Sequence, residues 1–306
     1  MQLTGLVINS MGSSCMVKSA DKEYSCVVRG KFRLKNFDLT NPVTVGDVVD
    51  FDFMDGDEGG VIKTIHERKN YIIRKSATHN KKAQLIATNI DMAYLIVTPA
   101  MPRTSTGFID RFLATAEAYS IPASLVFNKS DMKEAGLEEY RKEMMQLYTE
   151  IGYECILLSA LTGENTDALK QKLKGKVNLF AGHSGVGKST LINILEKNTA
   201  IKTAEISEAY QKGKHTTTFA QMYELKDGGY IIDTPGLKEF GLYDIRKEEL
   251  SHYFREMLEV LPNCKFNNCI HIHEKGCAVI EAVKNKKIRR VRYENYLKML
   301  QEDTWR

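Results

Sequence analysis

Along the first 70 positions, apolar and polar residues alternate in short runs broken by glycine: Gly5-Leu6-Val7-Ile8, Ser25-Cys26-Val27-Val28, Asp47-Val48-Val49-Asp50-Phe51 and Gly60-Val61-Ile62. A period of two puts successive side chains on opposite faces of a strand, so these runs predict a small five-stranded β-barrel. From about residue 71 to 246 the pattern changes. Predominantly apolar runs at 92–97, 123–127, 155–158 and 177–181 predict strands buried on both faces. Helical periodicity separates them at 108–119, 137–151 and 166–173, and a glycine-rich loop with a helix through Leu195 follows the last run. This alternation predicts an α/β sheet domain. Residues 219–225 and 230–233, joined by Asp227-Gly228-Gly229, predict a hairpin, whereas 197–218 lack strong periodicity. The last 60 residues open with a helix-like stretch at 247–260. No internal repeat or low-complexity tract is present, and three domains are expected, at 1–70, 71–246 and 247–306.

Composition narrows the class. The chain has 306 residues and 43% hydrophobic content, enough for more than one core. No run approaches the ~18 apolar residues that a membrane span needs. The N-terminus lacks a basic segment followed by a sufficient apolar stretch, so a soluble, cytoplasmic protein is expected. Six cysteines are too sparse for a disulfide scaffold, and Cys15, Cys26 and Cys155 sit in apolar runs that predict core positions. The net charge of +4 is modest, so its distribution matters more. Arg29, Lys31, Arg33 and Lys35 recur with period two around Phe32 and Leu34, which puts four cations on one strand face. That face is either an edge strand protected by charge or a phosphate-tracking surface continued by Arg68-Lys69 and Arg74-Lys75. Residues 284–292 hold six cations and no acid, followed by Tyr293, Tyr296 and Lys298. They form either a solvated helix face or, beside a second basic module, a polyanion contact.

The chemistry lies in the loops after the predicted strands. Gly182-His183-Ser184-Gly185-Val186-Gly187-Lys188-Ser189-Thr190 fits G-x-x-x-x-G-K-[ST] directly after the run at 177–181. Backbone N–H groups of such a loop converge on phosphate oxygens at a helix N-terminus, Lys188 adds a point charge, and Ser189 offers a hydroxyl to Mg²⁺. Asn128-Lys129-Ser130-Asp131 follows the run at 123–127, and Asp131 can accept from the ring N–H and exocyclic amine of guanine, a donor pair that adenine lacks. Ser159 and Ala160 open Ser159-Ala160-Leu161-Thr162-Gly163, which resembles the loop whose backbone amide meets the guanine carbonyl oxygen. Asp233-Thr234-Pro235-Gly236 resembles the loop that sets a carboxylate on the Mg²⁺ shell and a glycine amide on the γ-phosphate. Thr216, Thr217 and Thr218 lie between cradle and DTPG, where a switch threonine is needed; Thr217 is the first choice for Mg²⁺, its neighbours the alternatives. All five elements of a GTPase are present with the base-reading pair first, so the domain is circularly permuted, which surface chain ends tolerate. The second switch then leads straight into the C-terminal module.

In that module Cys264, Cys269, His271 and Cys277 give C-x₄-C-x-H-x₅-C among polar loop residues. Three thiolates and an imidazole complete a tetrahedral Zn²⁺ shell with no open position, a structural site, with His273 as the substitute ligand.

The permuted order, the basic barrel, Gly213-Lys214-His215-Thr216-Thr217-Thr218, the stretch DTPGLKEFGL from Asp233 to Leu242 and the zinc spacing together resemble the ribosome small-subunit-dependent GTPases of RsgA type. The likeness covers nearly the whole chain. It implies an α/β protein with an N-terminal OB-fold β-barrel, a circularly permuted P-loop GTPase domain and a C-terminal α-helical zinc-binding domain. It also implies late maturation of the small ribosomal subunit, rRNA as partner and GTP hydrolysis stimulated by the subunit. A monomer is expected. A GTP-gated translation or tRNA-binding factor is the competing class, separable by whether isolated subunits are preferred. Many GTPases place glutamine directly after the DxxG glycine, and Leu237 cannot orient water. His215, beside the switch threonines, is the candidate on chemical type, and His183 inside the cradle is the rival. Lys188, Thr217 and Gly236 complete the expected catalytic set.

Overall fold

The computed structural model describes residues 2–28, 41–53, 59–75, 83–196, 220–234 and 245–302. Strands β1 (Gln2–Met11), β2 (Ser14–Ser19), β3 (Lys22–Val27), β4 (Val48–Phe53) and β5 (Gly59–Ile65) close into a barrel in the order β1-β2-β3-β5-β4. Every pairing is antiparallel except β3 with β5. Alternate positions point inward, and Val7, Cys15, Val17, Cys26, Val49, Phe51 and Ile62 form the core. Cys15 faces Cys26 across the β2–β3 ladder, and burial pushes the thiols up to about 12 and about 11. The four runs that alternate in sequence lie on β1, β3, β4 and β5; β2, half polar, gave a weaker signal. Arg29, Lys31, Arg33 and Lys35 lie outside the described residues. Arg68 is not a free cation: its guanidinium binds the fully buried Asp47 at 2.7 and 2.9 Å, and Lys69 pairs with Asp91.

Strands β6 (Tyr71–Lys75) and β7 (Ala83–Thr88) form a two-stranded antiparallel sheet, and their Ile72, Ile86 and Ala87 join the core of the next layer. That layer is a six-stranded sheet of order β10-β9-β8-β11-β13-β12, with β8 (Met92–Val97), β9 (Ala123–Phe127), β10 (Glu154–Leu157), β11 (Val177–Ala181), β12 (Gln221–Glu224) and β13 (Tyr230–Asp233). β12 is antiparallel to β13; the other pairings are parallel. Helices α1 (Thr106–Ala118), α2 (Leu137–Glu150), α3 (Thr166–Leu173) and α4 (Lys188–Leu195) connect them. On β8, Leu95 and Val97 enter one apolar layer with Phe112 and Tyr148, whereas Tyr94 and Ile96 enter the other with Leu169 and Leu191. Burial on both faces explains why these strands read as predominantly apolar runs.

The C-terminal segment corrects one expectation. The stretch predicted as a single helix at 247–260 is a 3₁₀ helix (Lys247–Tyr253) followed by the four-residue α5 (Arg255–Leu258). Phe254 between them has extended backbone angles, φ −111° and ψ 105°, and its fully buried ring meets Tyr296 edge-on at 5.5 Å. Core packing at that ring outweighs helical continuity. Helices α6 (Ala278–Lys284) and α7 (Arg290–Leu300) complete the module, which packs on α1. One cation of the basic run is internal: Arg292 is 1% exposed and bonds Asp110 of α1 and Glu256, whereas Arg289 and Arg290 are exposed and bond Glu150 and Glu294. Tyr293 and Tyr296 donate to the carbonyls of His271 and Ile270. They are pillars of the cysteine loop. Lys286, Lys287 and Lys298 stay exposed.

Candidate functional site

Parallel strands send their following loops to one edge of a sheet, where ligands of open α/β sheets bind. Here the NKSD segment follows β9, the SALTG loop follows β10, the glycine-rich loop follows β11, and Asp233 ends β13. All four emerge at the same edge.

The glycine-rich loop begins at Gly182, whose φ of 147° and whose distance of 2.7 Å from a would-be Cβ to the Ile96 carbonyl admit no side chain. Val186 is buried, while Ser184 and Gly185 are exposed. Gly187 (φ 94°) leads into α4 with no side-chain cap, so the first-turn amides and the positive end of the helix dipole face outward. The Lys188 ammonium folds over the loop, donating to the carbonyls of Gly182 at 2.7 Å and His183 at 3.4 Å. Burial lowers its pKa, opposed by the Asp233 carboxylate nearby. Asp233 in turn is raised by burial, opposed by Lys188, and its Oδ1 is a buried acceptor with no hydrogen-bond partner. An orphaned carboxylate oxygen near Lys188, whose chain neighbour is the half-buried Ser189, suits a hard divalent cation such as Mg²⁺. Thr190 faces solvent on the same turn.

Asn128 is 1% exposed and holds the two halves of the edge together. Its Nδ2 donates to the Val186 carbonyl at 2.8 Å and its Oδ1 accepts from the Ala160 amide at 2.9 Å. A Cβ on Gly187 would lie 2.4 Å from that Nδ2, which is why glycine stands there. Asp131 accepts from the Ser159 hydroxyl, and Ser159 Oγ in turn accepts from the amides of Leu161 and Thr162 at 3.2 and 3.1 Å. Lys129, held at φ 64°, donates from Nζ to the Met101 carbonyl. The carboxylate that sequence assigns to guanine and the loop it assigns to phosphate are thus in one bonded assembly.

The His183 ring lies on Phe108 of α1, centroids 3.9 Å apart, so it lines the loop from outside. His215, Thr216, Thr217, Thr218, Gly236 and Leu237 lie outside the described residues.

In the C-terminal module the ligand atoms of Cys264, Cys269, His271 and Cys277 all lie within 4.8 Å of one another. His271 Nδ1 is 3.2 Å from the Cys277 sulfur and 3.8 Å from that of Cys264. Burial holds the imidazole pKa below its usual value. Four convergent donors, three of them sulfur, suit a tetrahedral thiophilic metal. His273 is exposed on the adjoining loop and is not a member. Glu274 organises that loop by accepting from the amides of Ile270, Ile272 and His273, at 2.8 to 3.0 Å.

Sequence reasoning missed the Asp110–Arg292 pair, the Phe108 contact and the loop after β8 that Lys129 touches. None carries a motif, and a buried arginine inside a basic run looks in sequence like its exposed neighbours.

A family model described as RsgA GTPase matches residues 65–243, and one described as RsgA N-terminal domain matches 4–62. A Bacteroides fragilis protein named small ribosomal subunit biogenesis GTPase RsgA is 49% identical over 301 residues, 98% of this chain and 97% of that one. A Flavobacterium psychrophilum protein of the same name is 47% identical over 304 residues, 98% and 93% of the two chains. Among solved structures, YjeQ from Thermotoga maritima superposes with a TM-score of 0.77 at 35% identity, covering 98% of each chain. YloQ, described as a circularly permuted GTPase, gives 0.73 at 27% identity, covering 98% and 94%.

Proposed function

Since this chain belongs to the RsgA GTPase family, we propose that it hydrolyses GTP to GDP and phosphate in the service of late small-subunit maturation, with rRNA as its macromolecular partner. The observation that carries the nucleotide reading is the double hydrogen bond of Asn128, because it brings a guanine-reading carboxylate and a phosphate cradle within reach of one ligand. The relatives' shared name supports the role in the small ribosomal subunit.

In this reading Asp131 accepts from the two guanine donors, with Asn128, Lys129, Ser159 and Ala160 fixing the pocket around the base. The amides and glycines from Gly182 to Thr190 wrap the phosphates, and the Lys188 ammonium leaves its two carbonyl partners for phosphate oxygens. Ser189, Thr217 and Asp233 would hold Mg²⁺, which would supply positive charge against the phosphates. The Gly236 amide meets the γ-phosphate and His215 orients the attacking water. Because Leu237 cannot do so, turnover is slow until docking on the subunit completes the site. Such completion raises kcat by roughly 10³ to 10⁵ in other GTPases. The metal of the C-terminal cluster is Zn²⁺, the chain is monomeric and cytoplasmic, and its domains divide near residues 70 and 246. The exposed Lys286, Lys287 and Lys298, with Arg29, Lys31, Arg33 and Lys35 of the N-terminal basic run, are the cations offered to rRNA.

GTP turnover by the full chain with and without purified small subunits tests the assignment. Stimulation of a hundredfold or more is expected, with co-sedimentation favouring isolated small subunits over elongating ribosomes. Equal turnover in both arms rejects subunit stimulation, and preference for elongating ribosomes indicates a translation factor instead.

A further inference from the structure

The loop after β8 is none of the four loops described above, yet it stands among them. β8 lies between β9 and β11 in the sheet, so residues 98–104 leave the edge between the base-reading segment and the phosphate cradle. The loop is fixed on itself: Thr104 N donates to Thr98 O at 2.9 Å and Thr98 N donates to Thr104 Oγ1 at 3.1 Å. It is also fixed to both neighbours. Lys129 Nζ holds the Met101 carbonyl on the base side, and the Pro102 ring lies 3.3 Å from where a Gly185 Cβ would stand on the phosphate side. Arg103 is stacked on Tyr140 at 4.4 Å.

This bridge spans the interval that the sugar of a nucleotide must occupy when base and phosphates sit in their two sites. At its centre Met101 is 63% exposed, and its φ of 45° is in the left-handed region that a non-glycine residue enters at a cost. A rigid backbone thus presents a large apolar side chain to solvent at the one part of the ligand that is itself mostly carbon. We propose that Met101 is a ligand-contacting residue that packs its thioether against the sugar and adjoining purine face of the bound guanine nucleotide, setting affinity for the nucleoside half. The flexible, polarisable methionine side chain suits both a sugar C–H edge and an aromatic face. Because the contact is confined to the nucleoside and does not reach the phosphates, it strengthens GDP and GTP binding by the same factor and leaves the chemical step alone. This proposal rests on the guanine-nucleotide reading of the site.

The test is calorimetric titration of the full chain with unlabelled GDP and a non-hydrolysable GTP analogue. Met101→Ala is expected to weaken both by about tenfold, the order set by losing burial of a methionine side chain. Met101→Leu is expected to restore most of the loss. Subunit-stimulated kcat at saturating GTP and the melting temperature should match wild type, since an exposed side chain carries little of the fold. Unchanged affinity in Met101→Ala, or a loss confined to the GTP analogue, overturns the proposal while wild-type binding upholds the nucleotide site. Wild-type protein binding neither ligand overturns the nucleotide reading itself, and this contact with it.

Discussion

Asn128 donates through Nδ2 to the carbonyl of Val186 at 2.8 Å, a bond between residues 58 positions apart that ties the segment before the base reader to the heart of the phosphate cradle. Its other amide atom takes the Ala160 N–H, so one side chain registers three loops. Asn128→Ala leaves a buried carbonyl and a buried amide without partners, which costs about 2–3 kcal/mol of stability. It also frees the cradle from the base pocket. GDP and GTP should bind at least about tenfold more weakly, read by calorimetry beside urea unfolding. Wild-type affinity in a variant that unfolds earlier would mean that the bond serves the fold alone.

Asp131 stands at the far end of this assembly, its carboxylate held by Ser159. Asp131→Asn replaces one acceptor oxygen by a donor, which repels the guanine N–H groups but matches the second carbonyl of xanthine. GTP affinity should fall about a hundredfold or more while xanthosine triphosphate gains by a similar factor. Competition between the two nucleotides measures the switch, and an undiminished preference for guanine would remove Asp131 from the base pocket.

Legibility in the sequence followed burial and motif. Strands with both faces covered, such as β8, β9 and β11, are legible as predominantly apolar runs at their observed bounds, interrupted only by the buried Ser124 and Asn178. The cradle and NKSD were legible because backbone geometry restricts them to few residue types, as the crowding at Gly182 and Gly187 illustrates. What stayed hidden depended on partners remote in sequence. The break at Phe254 comes from a ring packing on Tyr296, and nothing local distinguishes Arg292 from Arg290, although one is buried and the other exposed. The run of four cations from Arg29 to Lys35 lies outside the described residues, as do His215 and Thr217.

The metal cluster makes a prediction about pH. Burial pushes the Cys269 thiol up to about 12 and raises that of Cys277, whereas burial lowers the His271 imidazole, which is therefore neutral near pH 7. Metal binding must expel the thiol protons, so affinity rises with pH and falls as pH falls. Three thiol protons, one from each cysteine ligand, correspond to about a thousandfold per pH unit between pH 6.5 and 8. Competition of Zn²⁺ against a chromophoric chelator across that range measures the slope, and a slope of tenfold or less would exclude two thiols among the ligands. Chelation should also perturb the tyrosine near-ultraviolet signal, because Tyr293 and Tyr296 bond the carbonyls of His271 and Ile270.

His215 is assigned the water-orienting role on chemical type and on its place beside the switch threonines. His215→Ala should leave GTP and GDP affinity near wild type while removing most subunit-stimulated turnover, because the imidazole acts on water and not on the nucleotide. Single-turnover hydrolysis with saturating subunits reads this directly. His183→Ala is the companion measurement. His183 is stacked on Phe108, so its loss should change cradle stability more than the hydrolysis step. Stimulated turnover that survives His215→Ala and fails in His183→Ala would reverse the two roles.

Arg292 joins the C-terminal module to the sheet domain. It is 1% exposed, donates to Asp110 at 2.6 Å and to Glu256 at 2.7 and 3.1 Å, and lies over the Phe254 ring at 4.5 Å. Asp110, fully buried, also accepts from Asn295 at 2.6 Å and Tyr148 at 2.8 Å. Removing the guanidinium strands two carboxylates, one of them out of reach of water, so Arg292→Met should cost about 3–5 kcal/mol. Asp110→Asn in the same chain removes the buried charge while keeping acceptor and shape. The double variant should therefore be more stable than Arg292→Met alone, with a coupling of about 2 kcal/mol or more in a urea-unfolding cycle. The single variant should also expose the join between α1 and α7 to limited proteolysis, since Asp110 and Arg292 stand on opposite sides of it. Additive losses in the cycle would show that the two charges stabilise their own modules separately and do not hold the modules together.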